Sequence, residues 1–509
     1  MDYRKLSSEQ KLKIKTLAEL KAVNYEPKSI KQELRDNLIE ALKTGRNVFE
    51  GIWGYDETVI PEIERALLST HHMLLLGLRG QAKTRLARMM VLLLDEYIPV
   101  VEDSELNDDP MQPLSWFAKK QVMDLGDRLP IAWMHRTERY TEKLATPDVN
   151  ISDLIGDVDP IKAASLKLSY ADERVIHYGL IPRSHRCIFV INELPDLQAR
   201  IQVGLFNILQ EGDIQIRGFK LRLPLDVQFV FTANPEDYTN RGSIVTPLKD
   251  RIDSQIITHY PRSIETGRKI TQQEAKTQDG QNELVEVVPL VYDLIEQVAV
   301  EARKSEYIDA KSGVSARLTI SAAENLMASA ERRCLKFKEP KTTTRVSDLL
   351  ATIPSLTGKV ELVYEGEQEG AAIVAFSLLG KAIRSQFELY FPNPEQIRKQ
   401  KAQNPYKPII DWFGQGALVE LPNDLTELEY MARLSKVTGL KELVKSKMPG
   451  LSEGSMFFYM EFVLHGLSEF SQINKAPLIA GIQFSDLLSS MFNKMQDGDS
   501  EEMDEEDNQ

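Results

Sequence analysis

Cysteine is nearly missing from this chain: Cys187 and Cys334 are the two in 509 residues, and they lie far apart. Two isolated thiols make neither a disulfide framework nor a metal-ligand spacing, and buried reduced cysteines fit a cytosol, so a cytoplasmic protein is expected. Long apolar runs are missing too. None approaches the roughly 20 residues that cross a bilayer, so no membrane span is expected. The opening residues, MDYRKLSSEQKLKIK, are charged and contain no apolar segment, which excludes a secretory signal there. Gly and Pro are not in excess, and 42% hydrophobic with 27% charged residues is an ordinary globular composition. No basic stripe occurs, and a net charge of −14 argues against nucleic acid as a partner. The seven histidines show no ligand spacing; His71-His72 reads as local structure. No Ser/His/Asp set is discernible, because triads are recognised by geometry.

What is present is organised along the chain. At 509 residues, two to four domains are expected. Residues 1–50 are charged and helical in pattern, with Leu34, Leu38, Ile39 and Leu42 at helical spacing. Residues 51–262 alternate short apolar runs with amphipathic helices, and the candidate strands are 73–76, 131–134, 187–191 and 227–232. That alternation predicts an α/β fold with a parallel sheet flanked by helices. Residues 263–391 read as almost wholly helical. Residues 392–495 read as a Pro- and Lys-containing linker (392–408) and a further mostly helical domain. Residues 496–509, QDGDSEEMDEEDNQ, hold eight acids and no base, which predicts a disordered tail, either an interaction tail or a solubilising terminus.

The chemistry starts at Gly77-Leu78-Arg79-Gly80-Gln81-Ala82-Lys83-Thr84-Arg85. The apolar run MLLL precedes it, and a helix with Leu86, Met89, Met90 and Leu93 on one face follows. Strand, loop, helix is the setting a phosphate loop needs. Backbone N–H groups at the helix start cradle phosphate oxygens, and the helix dipole favours their charge. Lys83 is placed to reach the β- and γ-phosphates, and the Thr84 hydroxyl to ligate Mg²⁺. Ala82 departs from the signature, standing where its second glycine belongs. A Cβ there crowds the loop if the residue needs φ > 0.

Some hundred residues on, the apolar run CIFVI ends in Asn192-Glu193, the form of a Walker B strand. An Asp normally positions the Mg²⁺ shell, and the following Glu orients the attacking water. Here the Asp position holds Asn192, whose amide oxygen accepts a hydrogen bond from a Mg²⁺-bound water but brings no charge. Weaker Mg²⁺ binding is therefore expected. Glu193 is the candidate catalytic base. Taken alone, either motif also reads as plain structure, a strand-to-helix turn or a buried strand ending in polar residues.

Their order with three further segments is more specific. FVFTANP ends an apolar strand at Asn234 and resembles sensor 1; PLKDR, with Arg251, resembles an arginine-finger segment; GVSAR, with Arg317, resembles sensor 2 at the start of a lid helix. In this order the set resembles the AAA+ ATPases. Within them, GIWGYDETVIPEIERAL (51–67), TPDVNISDLIGDVDP (146–160), HYGLIPRSHRCIFVINELPDL (177–197) and GDIQIRGFKLRLPLDVQFVFTANP (212–235) resemble the magnesium chelatase subunit I and MoxR branch, which carries a helix-2 insert. The resemblance covers about residues 51–333. Alternation of Ile214, Ile216, Leu221 and Leu223 predicts a hairpin independently.

The resemblance implies a P-loop AAA+ core, a helical lid, and Mg²⁺-dependent ATP hydrolysis. It also implies a homo-oligomeric ring, a hexamer, in which Arg251 completes a neighbour's site and Arg317 senses the γ-phosphate. A partner with a von Willebrand A domain, remodelled by the motor, is implied as well. Two other readings stay open: a true chelatase motor inserting Mg²⁺ into a porphyrin, and an ATP-binding scaffold that scarcely hydrolyses.

Overall fold

The computed structural model describes residues 3–169, 172–215, 222–235, 243–400, 403–478 and 480–487. The acidic tail lies outside them, as do Ile216 and Leu221 of the expected hairpin; its described parts, Asp213–Gln215 and Arg222–Pro224, do pair antiparallel. Two compact units divide the chain, Met1–Tyr260 and Pro261–Gln509.

In the first unit, in chain order, α1 is Ile30–Thr44, α2 Val59–Leu68, β1 Met73–Leu76 and α3 Lys83–Met89. Then come β2 (Tyr97–Val101), β3 (Ile131–His135), β4 (Tyr140–Leu144), β5 (Cys187–Asn192), β6 (Val227–Ala233) and β7 (Ser254–Ile257). Five of these strands form one sheet in the order β7-β1-β6-β5-β4, every neighbour parallel. The register sets Leu76 beside Ala233, Val230 beside Val190, and Leu144 beside Asn192.

Alternation along the strands builds both faces of this sheet. Leu74, Phe189, Ile191, Phe229 and Phe231 point into one core, with Ile181, Leu194 and Leu248. Leu75, Ile188, Val190 and Val230 point into the other, against Leu34 and Leu38 of α1, Ile63 of α2 and Leu86 of α3. Burial on both faces is why β5 is apolar up to Asn192 and β6 is apolar except at Gln228 and Thr232.

Residues 131–134 form a strand, but it is not in this sheet. β3 pairs antiparallel with β2, and Ile131 packs with Tyr3, Ile14, Leu20 and Tyr25 of the N-terminal segment. That segment is fixed to the first unit. Glu33 of α1 meets the fully buried Arg139 at 2.6 Å, and the Ile30 N–H donates to the Asp226 carboxylate at 2.6 Å.

The second unit is mostly helical around a large core running from Val288 to Phe484, with a small separate cluster of Val285, Met327 and Ala330. Its long helices are α4 (Leu290–Lys304), α5 (Ala316–Phe337), α6 (Ala371–Tyr390) and, after β8 (Val419–Pro422), α7 (Glu453–Glu469). β9 (Asn474–Leu478) and β10 (Gly481–Ser485) complete a three-stranded antiparallel sheet ordered β8-β10-β9. Residues 392–408, expected as a linker, include the helix Pro394–Gln400 and give the fully buried Tyr406 to this core. The expected fold class, an α/β P-loop core with a parallel sheet followed by a mostly helical C-terminal region, is the one observed. Among the described residues no helix is long and apolar enough to cross a membrane.

Candidate nucleotide site

Parallel strands present their carboxyl ends along one edge, where the loops that follow them meet; ligands of open α/β sheets bind there. Here that edge gathers the loop after β1, the Asn192-Glu193 end of β5, and Asn234 after β6.

The loop after β1 is held in shape by its neighbours. Ala82 adopts φ 57°, ψ 17° immediately before α3, so the left-handed conformation is made without the glycine of the signature. Gly80 is also left-handed, at φ 73°. Gly77 has another reason to lack a side chain: a Cβ there would run into the Thr258 hydroxyl and the Gln81 amide oxygen. Thr258 donates to that Gln81 oxygen at 2.6 Å. The Tyr55 hydroxyl reaches the Gln81 carbonyl at 3.0 Å and the His259 carbonyl at 2.8 Å, and burial pushes its pKa up to about 12. Tyr260 donates to the Arg79 carbonyl at 3.1 Å. Behind the loop, buried His72 accepts the Phe229 N–H, and desolvation drives its pKa down to about 3, so it is neutral.

Two limbs of side chains meet at the start of α3. In one, buried Lys83 donates to the Asn234 amide oxygen at 2.7 Å and to the carbonyls of Gly77 and, at 3.0 Å, Leu78. Asn234 in turn donates through Nδ2 to the Glu193 carboxylate at 2.8 Å. One amide thus bridges a cation and an anion. Glu193 holds φ 54°, a left-handed conformation rare for a residue with a Cβ, and strain of this kind clusters at functional positions.

In the other limb, the Asn192 amide oxygen accepts from Thr84 at 3.2 Å and from Thr232 at 3.0 Å. Thr232 also accepts the Glu193 N–H at 3.2 Å, tying the limbs together. On its far side Asn192 donates through Nδ2 to Glu142 of β4 at 2.7 Å. Thr84 Oγ1 and Asn192 Oδ1 are hard oxygen donors of the kind Mg²⁺ prefers. Among the described residues no group of three or more His, Cys, Asp or Glu forms a cage.

Gly77, Leu78, Arg79, Gly80, Gln81, Ala82, Lys83, Thr84, Asn192, Glu193 and Asn234 are therefore gathered at one edge, with Arg85 in the first turn of α3. Arg251 lies elsewhere in this unit. Its guanidinium rests 4.9 Å from the Phe206 ring centre and donates to Gln210 at 3.0 Å and to the Pro247 carbonyl at 2.7 Å. Arg317 belongs to the second unit, exposed on the first turn of α5, its N–H capped by Ser315 at 3.1 Å. Sequence reasoning missed Tyr55, Thr258, Thr232 and Glu142. Tyr55 and Thr232 lie in segments that carry the resemblance but were given no role of their own; Thr258 and Glu142 lie in no recognisable string and join the site across the sheet.

No protein-family model matches the chain. Among solved structures, one of the complex between subunits BchI and BchD of magnesium chelatase is 19% identical, with a TM-score of 0.32, covering 62% of this chain and 97% of that one. A putative ATPase from Cytophaga hutchinsonii is 16% identical, with a TM-score of 0.29, covering 71% and 98%. NtrX from Brucella abortus is 13% identical, with a TM-score of 0.33, covering 57% of this chain and only 55% of the NtrX chain. At such scores these likenesses assign nothing to the chain, and the site rests on its own geometry.

Proposed function

We propose that the chain is an ATP-hydrolysing motor of the AAA+ type, binding ATP and Mg²⁺ at the carboxyl edge of its parallel sheet. The observation that carries this reading is the Lys83–Asn234–Glu193 relay beside a left-handed loop that opens a helix. Lys83 lies where β- and γ-phosphate oxygens take over the donors it now gives to Gly77, Leu78 and Asn234. Thr84 and Asn192 would hold the cation, which would neutralise charge on the phosphates. Glu193, fixed by Asn234, orients a water and takes its proton as the water oxygen attacks the γ-phosphorus. The bond from that phosphorus to the β–γ bridging oxygen breaks, leaving ADP and phosphate.

Arg251 serves a neighbouring subunit. Stacking on Phe206 and two hydrogen bonds pre-orient its guanidinium, as a group offered in trans requires. The motor is then a ring, a hexamer by resemblance, in which Arg317 reads the γ-phosphate and a partner carrying a von Willebrand A domain is remodelled. Equilibrium binding of a fluorescent ATP analogue tests the core of this reading. The unmodified chain should bind, and Lys83→Ala should weaken binding about 30-fold or more, the cost of losing a desolvated charge pair. Equal binding by both would remove Lys83 from the site.

A further inference from the structure

Asn192 leaves the cation limb one negative charge short, and the shortfall is met from a different strand. β4 runs parallel to β5 with Glu142 opposite Val190, so Glu142 and Asn192 project from the same face of the sheet, two residues apart along the strands. The Glu142 carboxylate is shared between two surroundings. Oε1 accepts from Asn192 Nδ2 at 2.7 Å. Oε2 accepts from Arg88 of α3 at 2.8 and 3.0 Å and from the Tyr140 hydroxyl at 3.0 Å.

The first contact decides which way the Asn192 amide faces. An ionised carboxylate accepts only, so the NH₂ group must face Glu142 and the carbonyl oxygen must face Thr84 and Thr232. Flipped, the amide would bring its donor toward the cation and its oxygen against a carboxylate. The Arg88 ion pair does not cancel the charge, since Arg88 is 63% exposed and an ion pair with so exposed a partner is weak.

We propose that Glu142 is the positioning residue and counter-charge of the magnesium site, supplying from β4 the charge that Asn192 does not carry on β5. This rests on the nucleotide-site reading above. Glu142 would not touch the cation; it fixes the amide oxygen that would face the cation's water shell and adds negative potential behind it. Outer partners of this kind are typically worth about 10- to 100-fold in metal affinity.

The test compares binding of a fluorescent, slowly hydrolysed ATP analogue in EDTA and in Mn²⁺; the ratio of the two affinities is the metal's contribution. Glu142→Gln keeps an acceptor for Asn192 but removes the charge. It should reduce the Mn²⁺ contribution about tenfold while leaving affinity in EDTA and the thermal midpoint unchanged. Asn192→Asp should restore that contribution in the Glu142→Gln background. In the unmodified background it should not, because two carboxylates would then face each other at the separation of a hydrogen bond. A purely structural Glu142 would change both affinities and the midpoint together, and that result overturns the proposal. So does a Glu142→Gln Mn²⁺ contribution within twofold of the original, or an Asn192→Asp effect equal in both backgrounds. If the unmodified chain binds no nucleotide in EDTA or in Mn²⁺, the nucleotide-site reading fails instead.

Discussion

Each unit buries a polar network, and the two are built on opposite plans. In the second unit, Arg333 and Asp348 form a bidentate pair with both side chains almost fully buried. Asp348 also accepts from Ser329 and from the Arg345 N–H, and Arg345 lies over the Tyr430 ring and pairs with Glu427 at 2.9 Å. Glu461, fully buried, accepts the Val346 and Ser347 N–H groups and the Tyr430 hydroxyl. Despite burial, His465 beside it, with the Tyr430 hydroxyl and the Val346 N–H, holds its carboxyl below the usual range, while burial and that carboxylate push the Tyr430 phenol far up. Two of these charged groups, Arg333 and Arg345, are matched by carboxylates, and Glu461 is held by N–H and O–H donors.

In the first unit, neutral amides and hydroxyls separate Lys83, Glu193 and Glu142, and Lys83 gives its protons to carbonyls and an amide that release them without stranding a charge. The difference separates a buried network built on ion pairs from one in which neutral groups lie between the charges. In the second unit Arg333 pairs with Asp348 and Arg345 with Glu427; in the first, Lys83 donates to carbonyls and an amide.

The sharpest way to break that comparison is to remove one cation from each network and follow urea unfolding. Arg333→Met strands buried Asp348 and should cost about 3–5 kcal/mol. Lys83→Met should cost less, about 1 kcal/mol, since the Gly77 and Leu78 carbonyls and the Asn234 amide oxygen lose a donor without becoming bare charges. Equal costs would erase the distinction. A smaller effect sharpens it. Ala82 holds a left-handed conformation that disfavours a Cβ by about 1–2 kcal/mol. Ala82→Gly relieves this but frees the unfolded chain and loses a packed methyl, so a net gain of up to about 1 kcal/mol is expected. A loss of more than about 1 kcal/mol would show that the loop is not strained at this position.

The parts of the site written as contiguous strings were legible: the loop from Gly77 to Thr84, the Asn192-Glu193 pair, and Asn234 after an apolar run. So was the parallel sheet, wherever its strands are buried on both faces. Its two edges were not. Tyr140–Leu144, YTEKL, and Ser254–Ile257, SQII, are edge strands with polar residues, and neither stands out as an apolar run. Residues 131–134 did stand out, yet their apolar side chains serve the hairpin and the N-terminal segment. Losing β4 also hid Glu142. From sequence alone Asn192 is a missing charge, and only the register of β4 against β5 puts a carboxylate behind it. Ala82 shows a similar limit: a residue type can disfavour a conformation that its surroundings impose.

The most direct test of the account is steady-state ATP turnover of the purified chain beside Glu193→Gln. Turnover in the unmodified chain, with a loss of about 10²–10⁴-fold in the variant while ATP binding is retained, is the predicted result. Turnover that ignores Glu193→Gln, or none in the unmodified chain despite tight ATP binding, would contradict it.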